Sequence, residues 1–290
     1  MINVSVQVRR AVAGDHRQIA SLIFHESNTH RHLDWRSALD WIGSQNYWVL
    51  DENGTITAAF ACPEDPPDVA WIRLFTHQAH LAGPEAWSAL WETAQAEIFQ
   101  TNPRAHVAAI VVKQWFQKLL LASGFELKQD IVLLQRASDE PMPSSHPLSA
   151  GLHIRSMQSA DLPAVTQLDL SAFGTFWHNS QDSLQRAYSQ SIYSTVVEDD
   201  LETMVGYQIS TGNPFGAHLA RLAVRPEAQG RGVGSALVTD LIRRMNVDSP
   251  KSLSVNTQAD NEASLALYQK MGFVRTGEYF PVLAYMGKHD

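Results

Sequence analysis

The chain repeats itself, and that repeat limits its folds more than any other feature. Val8, Arg9, Asp15, Ile19 and Leu22 stand 146 positions before Ile154, Arg155, Asp161, Val165 and Leu168. Arg73, Leu74, Gly124 and Phe125 stand 148 positions before Arg221, Leu222, Gly272 and Phe273. Matches at both ends and in the middle of each half, in the same order, point to a duplicated domain. Between the halves, RASDEPMPSSHPLSAG (136–151) is rich in Ser and Pro without hydrophobic period and reads as a linker. The expected organisation is a domain over 1–135, a linker over 136–151 and a second domain over 152–290.

The second half alternates strand and helix. HIRSM, STVVED, MVGYQIS, HLARLAV and SLSVNT have the alternation or apolar runs of strands. ADLPAVTQLDLSAF has helical spacing, and so does the run with Val233, Leu237, Leu241 and Met245 on one stripe. EASLALYQKM is a helix ended by Gly272, and the remainder reads as a hairpin. Such alternation predicts a layered α/β or α+β domain.

With 290 residues, 44% of them hydrophobic, the chain has material for two cores. A formal charge of −8 argues against a nucleic-acid partner, because phosphate-backbone affinity needs clustered Lys and Arg. The start MINVSVQVRRAVAGD has no apolar leader core and no eighteen apolar residues run together, so no membrane partner and a cytoplasmic location are expected. The single cysteine, Cys62, excludes an internal disulfide and reads as a small core residue. His25, Glu26, His30, His32 and Asp34 crowd FHESNTHRHLDW but do not form H-E-x-x-H, and no metal site is expected there.

QGRGVGSAL (229–237) carries chemistry. Three glycines before a helical pattern let the backbone approach a ligand, and the start of a helix turns N–H groups and a positive dipole end towards it. The loop reads as a phosphate cradle, although it lacks the lysine of a Walker loop and the spacing of a dinucleotide fingerprint.

The run LARLAVRPEAQGRGVGSALV, followed by NEASLALYQKMGF, resembles the GCN5-related N-acetyltransferase (GNAT) superfamily. Gln229, Gly232 and Gly234 fit its Q/R-x-x-G-x-G/A signature, and Asn261, Tyr268, Gly272 and Phe273 fit its second motif. The resemblance covers the second half and reaches the first through the repeat. It implies two tandem domains, each with a mixed, mostly antiparallel splayed sheet flanked by helices. It also implies acetyl-coenzyme A as co-substrate, with no metal. Val224, Gln229, Gly230, Arg231, Gly232, Val233, Gly234, Ser235, Asn261 and Tyr268 would then bind the cofactor, and the backbone N–H groups of 230–235 would take its pyrophosphate. Arg225 and Arg231 would add charge-assisted contacts to phosphates.

The first half departs from the pattern. Leu81, Pro84 and Ala86 stand where the second half has Gln229, Gly232 and Gly234, and Lys113 and Leu120 replace Asn261 and Tyr268. Proline has no N–H to donate. The expectation is a degenerate copy, without coenzyme A binding of the usual kind, that completes the substrate cleft or the interdomain core.

For catalysis, the resemblance implies that Tyr268 protonates the departing thiolate and that the Val224 N–H receives the carbonyl oxygen. His218 stands where some family members carry a glutamate base and is the candidate base, although a strand histidine also fits as filler. Asn256 stands where others place a glutamate and cannot be a base. Phe173, Phe176, Trp177 and Tyr188 fall where the family lines its acceptor pocket, with Tyr279 and Phe280 on the other side. Aromatics at such spacing are more often core than pocket. The acceptor is expected to be a primary amine, of a small molecule or a peptide, acetylated directly in a ternary complex. The alternative is an acyl-CoA sensor that binds without turnover.

Overall fold

The computed structural model describes residues 6–143, 148–213, 216–246 and 252–287. The chain forms two compact units: Met1–Lys128 with Pro281–Asp290, and Gln129–Phe280. In chain order the elements are β1 (Val6–Arg10), α1 (His16–His25), β2 (Thr29–Arg31), β3 (Tyr47–Glu52), β4 (Thr55–Ala61), β5 (Val69–Trp71), β6 (Leu74–His77), α2 (Gly83–Thr101), β7 (His106–Ile110), α3 (Gln114–Ala122), β8 (Glu126–Arg136), β9 (Leu152–Ser156), α4 (Leu162–Trp177), α5 (Gln181–Ser189), β10 (Tyr193–Asp199), β11 (Met204–Asn213), β12 (Gly216–Val224), α6 (Val233–Met245), β13 (Ser252–Gln258), α7 (Glu262–Lys270) and β14 (Val274–Met286).

In the first unit, five strands pair in the order β1-β3-β4-β6-β2. β5 runs parallel to β7, and β7 pairs antiparallel with Val282–Met286 of β14. The core is aromatic: Phe60, Phe75, Trp87, Trp91, Phe116 and Phe125 are buried together.

In the second unit the order is β8-β13-β12-β11-β10-β9. β12 and β13 are parallel, paired from Gly216–Leu219 to Ser252–Val255, while β13 with β8, β12 with β11, β11 with β10 and β10 with β9 are antiparallel. Ile209 pairs with Arg221 and Ser210 with Leu219, so Ala220 is an extra residue that bends β12. Beyond the bend β12 runs on to Val224 beside β11, while β13 runs on to Gln258 beside β8. The two parallel strands therefore part. The stripe Val233, Leu237, Leu241 and Met245 is buried, and it closes one face of this sheet.

The matched residues do the same work twice. Arg9 pairs with Asp15 at 2.8 Å and Arg155 with Asp161 at 2.7 Å, and each aspartate also accepts a backbone N–H, from Val12 and from Gln158. Gly124 and Gly272 take φ of +86° and +85° at the ends of α3 and α7, where glycine is the low-cost residue. The following Phe125 and Phe273 donate N–H to the carbonyls of Leu120 and Tyr268 at 3.1 and 3.0 Å.

Three expectations differ from the structure. The units are not the segments 1–135 and 152–290, because each sheet takes a strand from the other end of the repeat: residues 131–136 pair with β13, and 282–286 pair with β7. The start of the expected linker is packed: Arg136 is buried and donates to the carbonyls of Met271, Glu140 and Pro141, while 144–147 lie outside the described residues. The expected C-terminal hairpin is one strand, β14, because its final residues find a partner in β7 rather than in each other.

Candidate functional site

The loop after β12 is built around left-handed glycines. Gly230 and Gly232 have φ of +74° and +82°, and Gly232 caps α6. A Cβ on either would meet no atom within 4 Å, so open space lies in front of them. Gly234 serves packing instead: a Cβ there would come within 3.1 Å of Leu267 Cδ2 on α7. The N–H of Ala236 bonds Gly232 O at 2.9 Å, and those of Val233, Gly234 and Ser235 precede it in the first turn, where a helix has no internal acceptor. With the dipole of a 13-residue helix behind them, these donors fit a pyrophosphate.

The flanking side chains divide. Gln229 Nε2 donates to Val224 O at 3.3 Å and steadies the strand end. Arg225 Nε donates to Met204 O at 2.6 Å, so this nitrogen braces β11. Arg231 is exposed, and its carbonyl accepts from Ser149 Oγ at 3.2 Å. Because Arg225 N–H bonds Val205 O at 2.8 Å, strand alternation sends the Val224 N–H to the opposite edge, where β13 has parted.

Asn261 is the N-cap of α7: its Oδ1 accepts from Ser264 N–H at 3.1 Å, and its Nδ2 donates to Gln258 Oε1 at 3.4 Å. Tyr268, on the same helix, is 4% exposed and packs with Leu219, Leu253, Val255 and Phe273. Burial pushes its hydroxyl well above the ordinary tyrosine range, with the Arg221 charge pulling weakly the other way. It is a phenol that keeps its proton.

Ala217 and Leu219 turn into the core under α6, so His218 between them faces the α4 side of the sheet. Gln135, Ser254, His218 and Thr211 stand in register across β8, β13, β12 and β11. Together with Asn213 and Ser252 they line a pocket of about 400 Å³. His218 Nδ1 lies 3.0 Å from Ser254 Oγ. Burial lowers its pKa and the Asn256 side chain raises it in part, so the imidazole is neutral at pH 7. Asn256 thus contacts the candidate base although it cannot be one.

The aromatic segment is split. Phe173 packs against the Arg221 guanidinium at 3.5 Å, Phe176 and Trp177 meet edge to face at 5.1 Å, and Tyr188 OH donates to Met157 O at 3.4 Å. Tyr279 is exposed. Sequence reading passed over Asp169. It is 0% exposed and takes both Nε and Nη2 of Arg221, at 2.7 and 2.8 Å. The signal was a carboxylate beside Leu162, Val165 and Leu168 on the apolar stripe of α4.

In the first unit the equivalent turn is built differently. Pro84 lies in the first turn of α2, and a Cβ on neighbouring Gly83 would come within 3.0 Å of His77 Nε2. Phe75, Trp87, Trp115 and Phe116 pack around that histidine's strand. Of the histidine-rich stretch, His30 Nε2 lies 3.1 Å from Ile72 O and Asp34 pairs with Arg73 at 2.6 Å.

Residues 162–273 match the sequence model of the acetyltransferase (GNAT) family. They are a GNAT domain. Mycothiol acetyltransferase of Amycolatopsis mediterranei (strain U-32) is 27% identical over 226 residues, 70% of this chain and 71% of that protein. Mycothiol acetyltransferase of Paenarthrobacter aurescens (strain TC1) is 46% identical over 54 residues, 19% of this chain and 17% of that protein, so that match spans under a fifth of the relative. A tandem GNAT protein from the clavulanic acid biosynthesis pathway shares the fold over 99% of this chain and 100% of its own, with a TM-score of 0.61 and 15% identity. The GNAT domain thus sits in a chain with a tandem GNAT fold.

Proposed function

We propose that the protein is an acetyl-CoA-dependent N-acetyltransferase whose second unit carries the chemistry, with a primary amine of a small molecule or a peptide α-amine as acceptor. The observation that carries this reading is the parting of β12 from β13 beside a helix start with left-handed Gly230 and Gly232 and open space in front. Acetyl-CoA, when bound, supplies an activated acetyl group on a thiol leaving group.

The chain's own groups divide the work. The first-turn N–H groups of α6 hold the pyrophosphate, and Val224 N–H donates to the thioester carbonyl oxygen as it gathers charge. Tyr268, kept protonated by burial, gives its proton to the departing sulfur. Neutral His218, six strand residues and about 20 Å from Val224, receives the amine's proton along a chain of several waters, since one water cannot span that distance.

This base sets a bound on the acceptor. Deprotonating a lysine-like amine at pH 7 costs about 4.6 kcal/mol, against about 1 kcal/mol for an α-amine. A pocket whose described lining holds a histidine and no carboxylate, with Asn256 beside that histidine, matches the second. The first unit, with Pro84 and Ala86 in place of Gly232 and Gly234, supports the fold and takes no acetyl-CoA.

The test is turnover, followed as free thiol, with acetyl-CoA and a panel of an alanine-initiated peptide, desacetyl mycothiol, spermidine and a peptide with one free lysine side chain. The two relatives named mycothiol acetyltransferases put desacetyl mycothiol in that panel. Turnover of the alanine-initiated peptide or desacetyl mycothiol above both spermidine and the lysine peptide is expected. Binding without turnover of any amine would make the protein a sensor.

A further inference from the structure

Asp169 on α4 is fully buried, and a carboxylate at that depth must have its lone pairs filled. Arg221 Nε and Nη2 take one oxygen each, at 2.7 and 2.8 Å, Asn179 N–H donates to it at 2.6 Å, and the Tyr207 hydroxyl donates as well. Arg221 Nη2 also donates to Trp177 O at 2.7 Å, and the guanidinium lies 3.5 Å from the centre of the Phe173 ring. One ion pair thereby ties β11, β12, the end of α4 and the turn before α5.

The ties fall at a break. Gly174, inside α4, has φ +66° and ψ −177°, so residues 175–177 leave the helix axis. The carbonyl of Trp177 and the N–H of Asn179, on either side of the turn, are both held by this pair. Arg221 stands on β12 three residues after His218 and three before Val224. Through its contact with Arg221, Phe173 lies over the strand between His218 and Val224.

We propose that Arg221 and Asp169 are positioning residues that hold segment 173–179 against β12 and so fix the acceptor in front of the thioester, an inference that rests on the acetyl-transfer reading. The strand that offers the Val224 N–H also carries the guanidinium that sets the acceptor wall, so both halves of the reaction are registered by β12. The first unit keeps the arginine but not this use of it: Arg73 pairs with Asp34, which follows β2, at 2.6 Å.

The experiment compares wild type with Arg221→Lys, which keeps the charge but cannot span two carboxylate oxygens, the Trp177 carbonyl and a ring face together. Acetyl-CoA affinity is read by calorimetry, steady-state constants with the amine of the panel that wild type turns over fastest, and amide exchange of 174–181 by mass spectrometry. The expected result is an acceptor KM raised at least about tenfold, kcat and acetyl-CoA Kd within about threefold, and faster exchange in 174–181. The pair Asp169→Asn with Arg221→Gln, which removes both buried charges but keeps hydrogen-bonding amides, is expected to fold and to show the same KM rise. An unchanged acceptor KM in either variant, or a loss confined to kcat, overturns the proposal and leaves acetyl transfer standing. Failure of wild type to bind acetyl-CoA or to turn over any amine overturns both, and is seen before a variant is made.

Discussion

Gly206 of β11 passes directly beneath Val233, the first residue of α6. A Cβ at 206 would come within 2.6 Å of Val233 Cγ1, with Ala223 O and Leu237 Cδ1 at 3.2 and 3.4 Å. Val233 is β-branched and cannot swing away. Gly206→Ala therefore pushes the start of α6 off the sheet, at about 1–3 kcal/mol of stability. Urea titration should show that loss, and calorimetry a weaker acetyl-CoA affinity. Adding Val233→Ala should restore much of both.

Two loop glycines should respond in opposite ways. Gly232→Ala meets no atom but must hold φ near +82°, a strain of about 1–2 kcal/mol, and its methyl enters the space offered to the pyrophosphate. Acetyl-CoA Kd should rise more than about tenfold, since one lost or distorted charge-assisted bond costs at least 1.4 kcal/mol. Gly234→Ala presses on Leu267 at 3.1 Å, so its cost appears in stability first. Paired urea and calorimetric titrations check the contrast.

Acid should weaken the protein before it reaches carboxylate pKa values. Burial lowers the pKa of His30 to about 4. Between its ordinary value near 6.5 and 4 the unfolded chain binds this proton and the folded chain does not, so stability falls as pH falls through that window, by at most ~3 kcal/mol for this group. Urea midpoints at pH 7 and 5 measure the slope, and His30→Leu should lessen it, with His32, whose pKa burial also lowers, supplying part of the remainder. His218, also depressed by burial, stays a base down to pH values below 6.5, so turnover should be level near pH 7 and fall only below that. His218→Asn should abolish that acid limb.

Tyr268→Phe removes one oxygen from a well-packed ring. Turnover should fall by about a hundredfold while acetyl-CoA Kd is unchanged. Equal losses in binding and kcat would assign the hydroxyl a structural role.

Much of the fold was legible because its signals are local. The stripe from Val233 to Met245, the stops at Gly124 and Gly272, and the capped turns at Asp15 and Asp161 are each written within a few residues. The strand exchange was not, since nothing within GEYFPVLAY tells that Val282–Met286 will pair with His106–Ile110, some 170 residues away in sequence. The glycine loop was legible in place but only partly in purpose: Gly230 and Gly232 serve the turn and the space before it, while Gly234 serves packing on α7. The bond of Arg225 to Met204 O was not legible, because it depends on a neighbouring strand. Asp169 stayed hidden because its partners lie 10 to 52 positions away, although its place on an apolar stripe was visible.

The central claim is that the loop of the second unit, and no other part of the chain, holds acetyl-CoA. Calorimetric titration of acetyl-CoA into wild type and into Gly232→Pro, which copies Pro84 of the first unit into the second, tests it most directly. One equivalent bound by wild type and none by the variant is the predicted result. No binding to wild type, two equivalents, or binding retained by Gly232→Pro would contradict it.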